Sequence, residues 1–207
     1  MKTKRIVIYP GFMSAEEPQY FKKVLGALLV YRDRNYQPRP GDFIIGWGNG
    51  RTPNWAQEAL QCRCPILNHW NSIRFAVNKR QALEMMAPLG VSTVPFTINI
   101  PQALAWRNGG HTVMCRLNLR GMKGEGIYVA YGTRSLPDAL LYTRFIPDCR
   151  EFRIHVFQDR AIAMQEKLQK HGVKCDPYVR SEENGWIFAR KNIQVPHKVI
   201  QEAIKAI

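Results

Sequence analysis

Short apolar runs alternate with stretches of helical hydrophobic spacing along the first third of the chain. Ile6-Val7-Ile8-Tyr9 has the character of a buried strand, and Pro10-Gly11 ends it. Ser14-Ala15-Glu16-Glu17 has the spacing of a capping box, and apolar positions follow at helical period over 21–29. This pattern predicts a helix that runs to about Tyr31.

The same alternation continues to about residue 70. A turn over 38–41 precedes a second strand over 42–47, and Thr52-Pro53 reads as an N-cap with proline at the first helical position. The helix that it opens is predicted to reach Leu60, before a short third strand at Pro65-Ile66-Leu67. The order strand, helix, strand, helix, strand predicts a small parallel sheet with helices on its faces.

The pattern changes in the remainder of the chain, where hairpins replace crossover helices. Cap spacing at Asn78-Lys79-Arg80-Gln81 opens a helix that Gly90 closes. A second helix is predicted over 101–107, a glycine-bearing hairpin over 113–130 and a strand over 140–145. A pair of strands within 152–167 and a final helical stripe over 195–204 follow. The whole chain is therefore predicted to have a mixed α/β and α+β fold.

Composition and charge narrow the classes of function. The 207 residues carry 30 Lys and Arg against 16 Asp and Glu, a net charge of +14, and 45% are hydrophobic, which excludes a disordered chain. No run approaches a membrane span or a signal peptide, and five cysteines without a CxxC pair are typical of reduced thiols, so a cytoplasmic protein is predicted. The charge indicates either a solvated basic surface or a polyanionic partner, nucleic acid or a nucleotide phosphate.

Two features could contact a phosphate. Lys79 lies just inside a helix start, where a cation opposes the helix dipole unless an anion is nearby; the alternative is a solvated lysine. Glycines at 121, 124 and 126 let the backbone of Arg120-Gly121-Met122-Lys123-Gly124-Glu125-Gly126 approach a ligand, and the alternative is a flexible hairpin. This loop lacks both the Walker ending and a following helix.

Two further features place charges along predicted strands. Glu151 and Arg153 share one face of a strand, and the apolar residues of that strand lie on the other face; these are Phe152, Ile154 and Val156. The two charges form either an exposed ion pair or the polar lining of a cleft. Lys167 on the next strand could join them, within a register uncertain by one residue. Arg180 and Asn184 flank a turn and a strand start, where they could reach a polyphosphate or carboxylate, or belong to the turn alone.

The order of these features resembles the ATP-grasp superfamily, most closely its RimK-like branch found in bacteriophage genomes. The blocks that carry the resemblance cover most of the chain from about residue 44 onward. They are Gly46-Trp47-Gly48-Asn49, Ile73-Arg74-Phe75-Ala76-Val77-Asn78-Lys79, Gly90-Val91-Ser92-Thr93-Val94-Pro95-Phe96, Arg120-Gly121-Met122-Lys123-Gly124-Glu125-Gly126-Ile127, Tyr142-Thr143-Arg144-Phe145-Ile146-Pro147, Arg150-Glu151-Phe152-Arg153-Ile154-His155-Val156 and Arg180-Ser181-Glu182-Glu183-Asn184-Gly185-Trp186-Ile187-Phe188-Ala189-Arg190.

The resemblance implies an N-terminal α/β domain over 1–70, followed by two lobes that bind ATP between them. The first lobe, over 71–135, carries the glycine lid, and the second covers 136–207. It implies that Lys79 and Arg116 hold the α- and β-phosphates and that the loop with Gly121, Lys123, Gly124 and Gly126 closes over the triphosphate. Lys123 stands where relatives usually carry a small hydroxyl residue. Backbone groups at Arg144 and Ile146 would contact the adenine, and the Glu151 carboxylate would bind the ribose hydroxyls. The phosphate and acceptor side of the site would be lined by Arg153, Lys167, Arg180 and Asn184.

The resemblance also implies an ATP-dependent carboxylate–amine ligase that acts through an acylphosphate, with Mg²⁺ and arginines offsetting the phosphoryl charge. Its substrates would be a carboxylate acceptor and an amine donor, such as a peptide tail. If the protein is encoded by a phage, it would act in the cytoplasm of the host cell. The alternative is a non-catalytic relative, a nucleic-acid-binding or virion-associated phage protein.

One departure from the family concerns the magnesium ligands. In the family an aspartate strand and a Glu-x-Asn pair follow the terminal helix, whereas this sequence ends on that helix at Ile207. The expectation is either a piece of a longer protein or a short form with impaired chemistry. A partner chain or a second copy would then cover the open sheet edge.

Overall fold

The computed structural model describes residues 4–11, 16–31 and 35–207. The chain divides into two compact units, Met1–Asn78 and Lys79–Ile207. The boundary predicted from the sequence at residue 70 lies earlier, and the division of residues 71–207 into two lobes stays a prediction. No helix in the described part of the chain combines the length and the apolar character that crossing a bilayer requires.

The first unit contains a four-stranded parallel sheet with helices between its strands. The strand order is β2-β1-β3-β4, and every neighbouring pair is parallel. Its elements are β1 (Ile6–Pro10), α1 (Glu16–Leu25), β2 (Leu28–Leu29), β3 (Phe43–Trp47), α2 (Ala56–Gln61), β4 (Ile66–Leu67) and α3 (Trp70–Val77).

Aromatic side chains fill the core on one side of this sheet. The Trp55 ring lies edge-on to Tyr9 at 5.4 Å and to Tyr36 at 5.0 Å between centroids, and Trp70 completes the cluster. Edge-to-face contacts of this kind contribute beyond the apolar area that they bury. Trp70 is buried at the first position of α3, which anchors that helix to the core.

The first predicted helix was too long. Helix α1 ends at Leu25, and Gly26 follows with φ +61°, a conformation in which a helix stops. Leu28 and Leu29, which continue the helical spacing in the sequence, pair in parallel with β1 instead. The predicted cap residue Ser14 lies outside the described residues.

Two other predictions for this unit are corrected. Thr52-Pro53 does not open α2, because that helix begins at Ala56 after Trp55 as N-cap. Helix α3 was missed, and Asn78, predicted as an N-cap, is the C-cap of α3. The segment 70–77 has apolar residues at helical spacing (Trp70, Ile73 and Val77), but it is only eight residues long, too short for the spacing to mark a helix in the sequence, and burial of Trp70 anchors it.

The second unit contains two antiparallel sheets. One has the order β5-β8-β6-β7, and the other the order β11-β10-β9. Its elements are α4 (Lys79–Met86), β5 (Phe96–Thr97), α5 (Ile100–Asn108), β6 (Val113–Arg116), β7 (Ile127–Ala130), β8 (Leu141–Arg144), β9 (Glu151–Phe157), β10 (Arg160–Gln169), β11 (Trp186–Ala189) and α6 (His197–Lys205). The predicted mixed fold class, a parallel sheet followed by antiparallel hairpins, is confirmed.

A buried carboxylate holds part of the first unit together. Asp42 is 2% exposed and accepts hydrogen bonds from Arg5 Nη2 at 2.6 Å, Tyr36 Oη at 2.6 Å and the Arg39 N–H at 3.0 Å. Burial opposes ionisation of Asp42, but the hydrogen bonds from Arg5, Tyr36 and the Arg39 backbone outweigh it, so its pKa is lowered.

We therefore expect Asp42→Asn to lower the free energy of unfolding by about 2–4 kcal/mol, because three donors lose an anionic acceptor. The matched control Glu58→Gln, on an exposed helix face, should cost less than about 1 kcal/mol. Because the folded pKa of Asp42 is lowered, its contribution is present at neutral pH and is lost as the pH falls through that pKa. Urea unfolding at neutral and acidic pH measures both effects, and equal losses in the two variants would contradict the role of Asp42.

Candidate functional site

A cavity of about 650 Å³ lies in the second unit, over one face of the β11-β10-β9 sheet. Most of its charged lining is cationic. The lining cations are Arg116, Lys123, Arg153, Lys167, Arg180 and Arg190, and the acids are Glu151 and Glu182. A cavity of this size and charge suits an anionic small molecule.

The floor of the cavity is built from cross-strand rows of side chains. In the first row, Glu151 lies opposite Lys167, and Lys167 lies opposite Phe188. Lys167 Nζ forms an ion pair with Glu151 Oε1 at 2.6 Å. The strand register that pairs these two residues, which the sequence left uncertain by one residue, is therefore the one in which they face each other. Lys167 Nζ also lies 4.7 Å from the centroid of the Phe188 ring.

The second row consists of Arg153, Gln165 and the residue after β11. Arg153 pairs with Gln165, and the register of β10 and β11 places Arg190 next to Gln165 on its other side. The Arg153 guanidinium stacks over Phe188 at 3.7 Å, and the Gln165 side-chain oxygen, when it faces Arg190, accepts from Arg190 Nε at 2.7 Å. Two arginines are thus held in place by neutral groups, which leaves their charges available to an anion.

Lys79 and Arg116 form a second group of cations. Lys79 is the first residue of α4, its Nζ donates to Gly121 O at 2.8 Å, and its N–H donates to Leu119 O at 3.1 Å. Burial lowers the pKa of Lys79, and the nearby guanidinium of Arg116 lowers it further. Burial also lowers the pKa of Arg116. Within residues 4–11, 16–31 and 35–207, neither side chain has a carboxylate at ion-pair distance, so a bound anion would relieve the repulsion between them.

The glycine loop packs closely against the segment that precedes β11. A Cβ on Gly124 would lie 2.2 Å from Val179 Cγ1, and Gly124 has φ +93°, which side chains rarely adopt. Val179 and Tyr178 are themselves placed by Asp176 Oδ1, which accepts from both of their N–H groups at 2.8 and 2.7 Å. The loop therefore forms one wall of the cavity.

An ion pair also joins this loop to the segment that precedes β11. Lys123 Nζ lies 2.7 Å from Glu183 Oε1, and both side chains are exposed. Because an exposed pair is weak and screened by salt, we expect Glu183→Gln to raise the rate of trypsin cleavage after Lys123 by about two- to fivefold. High salt should have the same effect on the unmodified chain. Glu58→Gln, which removes an exposed carboxylate from the first unit, is the control. Equal cleavage of the unmodified chain and both variants would show that the ion pair does not hold the loop.

The predicted adenine-binding strand is only partly free to bind a ligand. The Arg144 N–H donates to Pro95 O at 2.9 Å. Because proline has no N–H, Pro95 cannot return a hydrogen bond to the Arg144 carbonyl, which therefore lacks the donor that this strand position would otherwise supply. Ile146 lies beyond the end of β8 and is exposed, and its carbonyl accepts from Cys149 Sγ at 3.2 Å.

The segment between β10 and β11 supplies the remaining polar groups. The Arg180 guanidinium lies over the Trp186 ring at 4.8 Å and donates from Nη1 to Cys149 O at 3.1 Å. Asn184 Nδ2 donates to Val179 O at 2.8 Å, which shapes the turn. Ser181 lines the cavity, and its buried Oγ has no hydrogen-bond partner among the described residues. Such an orphaned hydroxyl fits a site that a ligand completes.

The described residues do not fit a magnesium site made by protein side chains. Within residues 4–11, 16–31 and 35–207, no three or more His, Cys, Asp or Glu side chains are grouped to hold a metal ion. Of the two acids in the cavity lining, Glu151 is already paired with Lys167. The chemistry of the site is therefore assigned to the side chains and backbone groups of the chain itself.

The cavity lining includes about half of the site residues predicted from the sequence. These are Arg116, Lys123, Gly124, Glu151, Arg153, Lys167 and Arg180. The others lie outside the lining, although Lys79 reaches Gly121 O and Arg116; they are Lys79, Gly121, Gly126, Arg144, Ile146 and Asn184.

Sequence reasoning missed Gln165 and Arg190 as parts of the site. Gln165 sits among alternating residues of β10 without a motif around it, and Arg190 follows β11 as an ordinary basic residue. The signal that could have found them is the strand register, because residues two apart from Lys167 and Phe188 must share their face of the sheet.

Comparison with solved structures shows whose fold this is, although no protein-family model and no curated protein sequence matches the chain. D-alanine–D-alanine ligase from Bacillus anthracis matches with a TM-score of 0.62 and 12% identity, over 99% of this chain and 78% of that one. The N5-carboxyaminoimidazole synthetase from Staphylococcus aureus, complexed with ADP, matches with a TM-score of 0.63 and 12% identity, over 98% of this chain and 62% of that one. The ATP-grasp ligase PsnB, complexed with a precursor variant, Mg and ADP, matches with a TM-score of 0.60 and 10% identity, over 97% and 80%. The chain therefore has the fold of the ATP-grasp ligases.

Proposed function

We propose that this chain binds ATP in the cavity of its second unit and is an ATP-dependent carboxylate–amine ligase. The observation that carries the proposal is the paired cations Lys79 and Arg116, which have no carboxylate partner among the described residues and lie beside a glycine loop. Proteins with this fold that match over nearly the whole chain include structures complexed with ADP. Fold alone does not establish activity, and the cationic lining of the cavity is what favours ATP as the ligand.

The residues have distinct roles in the proposed complex. Lys79 and Arg116 bind the α- and β-phosphates, and the glycine loop covers the triphosphate through its backbone N–H groups. The Arg144 carbonyl accepts a hydrogen bond from the adenine amino group, beside Ile146, and Glu151 accepts from the ribose hydroxyls. Arg153, Lys167 and Arg180 surround the terminal phosphoryl group, and Asn184 maintains the turn that positions Arg180.

The proposed reaction has two steps. In the first, a carboxylate oxygen of the acceptor attacks the γ-phosphorus, a C–O–P linkage forms, the bond from the γ-phosphorus to the β–γ bridging oxygen breaks, and ADP leaves. In the second, the amine attacks the acyl carbon, loses a proton and expels inorganic phosphate, leaving an amide. In this reaction Arg153 and Arg180 stabilise charge on the oxygens of the transferring group.

Acylphosphate formation is tested with hydroxylamine as the amine. The purified chain is incubated with ATP, Mg²⁺, hydroxylamine and each N-acetyl amino acid in turn, and ADP and hydroxamate are measured together. The proposal predicts that ADP release requires the carboxylate and equals hydroxamate formed, and that Arg153→Gln abolishes both. Nucleotide binding without ADP release for any carboxylate would favour the non-catalytic alternative, a nucleic-acid-binding or virion-associated protein.

The finer assignments also belong to this proposal. The order of the motifs supports the RimK-like branch and a bacteriophage source, hence a host cytoplasm, and Mg²⁺ would accompany the nucleotide as it does in the PsnB complex. The net charge of +14 is what favours a nucleic-acid partner for the alternative function. A steep loss of oligonucleotide affinity between low and physiological salt would support it, and light scattering would detect a second copy or a partner at the sheet edge.

A further inference from the structure

Two ion pairs cross from β9 to β10 at the same place, one on each face of the sheet. On the face that the cavity covers, Glu151 Oε1 lies 2.6 Å from Lys167 Nζ. On the opposite face, Arg150 donates from Nε to Glu166 Oε1 at 2.7 Å and from Nη2 to Glu166 Oε2 at 2.8 Å. Each residue of the second pair is the sequence neighbour of one in the first, so both pairs hold the same stretch of backbone.

The strand register explains why the two pairs lie on different faces. Glu151 lies opposite Lys167, and Phe152 lies opposite Glu166. Because side chains alternate along a strand, Glu166 faces away from the cavity that Lys167 lines. The Arg150 guanidinium lies on that opposite face as well, over the Phe152 ring and 4.8 Å from its centroid.

The carboxylate of the pair on the opposite face is buried. Glu166 is 7% exposed, and each of its oxygens accepts one hydrogen bond from the planar guanidinium of Arg150. Arg150 Nη2 also donates to Gln194 O at 2.9 Å, which ties this side chain to the segment that precedes α6. A bidentate pair of charge-assisted hydrogen bonds fixes the geometry of both side chains, unlike a single contact between exposed groups.

The backbone that enters β9 is also held from the cavity side. Arg180, which lines the cavity, donates from Nη1 to Cys149 O at 3.1 Å. Two consecutive residues, Cys149 and Arg150, are therefore fixed by contacts with different parts of the second unit. Glu151 is the next residue along the chain, so the position of its carboxylate depends on these contacts.

The ion pair on the cavity face must change its partners in the proposed nucleotide complex. Glu151 there accepts hydrogen bonds from the ribose hydroxyls, and Lys167 lies beside the terminal phosphoryl group. The ribose and the Lys167 ammonium group then compete for one carboxylate. The pair on the opposite face keeps its contacts, because neither Arg150 nor Glu166 is among the described residues that line the cavity.

We propose that Arg150 and Glu166 are positioning residues for ribose recognition. They hold the start of β9, so that the Glu151 carboxylate stays directed at the ribose hydroxyls when its ion pair with Lys167 opens. This inference rests on the proposed function, in which Glu151 binds the ribose. Neither positioning residue contacts the nucleotide. Loss of their ion pair therefore weakens recognition of the ribose and leaves recognition of the α- and β-phosphates unchanged.

Three ligands separate recognition of the ribose from recognition of the phosphates: ATP, 2′,3′-dideoxy-ATP and inorganic tripolyphosphate. Each is titrated calorimetrically, in the presence of Mg²⁺, into the unmodified chain. We expect ATP to bind at least about tenfold more tightly than the dideoxy nucleotide, because the latter lacks both hydroxyl donors to the Glu151 carboxylate. Glu151→Gln should reduce this preference to less than about threefold, which marks the loss of ribose recognition.

Variants of the positioning pair should affect the same preference. Arg150→Gln and Glu166→Gln should each lower the preference for ATP over the dideoxy nucleotide by about threefold or more, while tripolyphosphate affinity changes less than about twofold. Arg150→Lys keeps the charge and should restore part of the preference. Arg160→Gln is the matched control at the far end of the same hairpin, because the Arg160 side chain is 85% exposed and its Nε lies 3.8 Å from Asp159 Oδ1. It should leave the preference unchanged.

The outcomes separate failure of the inference from failure of the proposed function. A preference for ATP that survives both Arg150→Gln and Glu166→Gln overturns the inference alone. Equal losses of ATP and tripolyphosphate affinity in these variants also overturn it, because the pair would then maintain the whole site. Absence of nucleotide binding by the folded, unmodified chain overturns the proposed function.

Two further results are decisive. Equal affinities of the unmodified chain for ATP and the dideoxy nucleotide overturn the ribose role of Glu151, and the inference with it. Thermal unfolding shows whether each variant folds. If Arg150→Gln does not fold, Glu166→Gln decides, because it keeps the size of the side chain and one acceptor oxygen; an unchanged preference for ATP in that variant overturns the inference.

Discussion

Replacing Lys79 with alanine is expected to lower the affinity for ATP by roughly 10- to 100-fold. The lysine is partly buried, its Nζ is directed at the glycine loop through Gly121 O, and the proximity of Arg116 lowers its pKa. In the proposed complex the ammonium group meets a phosphate oxygen in surroundings of low dielectric, where a charge-assisted hydrogen bond is stronger than in water. Calorimetric titration of ATP into both chains measures the difference.

Arg80→Ala is the matched control for this variant. Arg80 follows Lys79 on the same helix, carries the same charge, and forms an ion pair with Glu84 at 2.7 Å instead of facing the loop. Its loss should change ATP affinity by less than about threefold. Equal losses for the two variants would indicate that overall charge, not the position of Lys79, governs nucleotide binding.

Replacing Gly124 with alanine is expected to reduce ATP affinity by about tenfold or more. The added Cβ would lie 2.2 Å from Val179 Cγ1, and the backbone at φ +93° is strained for any side chain. The loop must then move away from the wall that it forms with Val179, so its N–H groups leave the phosphates. Titration of ATP and thermal unfolding distinguish loss of the site from loss of the fold.

Two further variants isolate the cause of that loss. Gly132→Ala also places a side chain at positive φ, +58°, but nothing lies within 4 Å of the new Cβ, so ATP affinity should be unchanged. Adding Val179→Ala to Gly124→Ala removes Cγ1 and leaves Val179 Cβ at 3.6 Å, an ordinary contact, so part of the affinity should return. Failure of the second change to restore binding would show that backbone strain, not the clash, is responsible.

The fold was predictable where local pattern and final packing agree. The buried strand at Ile6 to Tyr9 and the hairpin of β6 and β7 follow directly from apolar runs and turn residues. The helix predicted through Leu28 and Leu29 fails because their spacing suits a helix, whereas the edge of β1 offers them a parallel pairing that sequence does not show. Helix α3 depends on burial of Trp70 in an aromatic cluster assembled from distant residues.

The site residues that could be predicted are those whose positions follow from the alternation of side chains along a strand. Glu151 and Arg153 share a face because side chains alternate along a strand, and Lys167 meets Glu151 because β9 and β10 form a hairpin. Arg190 and Gln165 could not be placed without the register of β11, which a long connection from Lys170 to Gly185 separates from β10. The convergence of Lys79 with Arg116 likewise depends on the hydrogen bonds of Lys79 to Leu119 O and Gly121 O, which local patterns do not show.

The decisive experiment for the nucleotide site is calorimetric titration of ATP, with and without Mg²⁺, into the unmodified chain and into the Lys79→Ala, Arg116→Gln double variant. We expect saturable binding of one nucleotide to the unmodified chain, and loss of this binding in a double variant that keeps the same thermal unfolding profile. Absence of saturable binding to the folded, unmodified chain, or equal binding to the double variant, would contradict the assignment of the cavity as a nucleotide site.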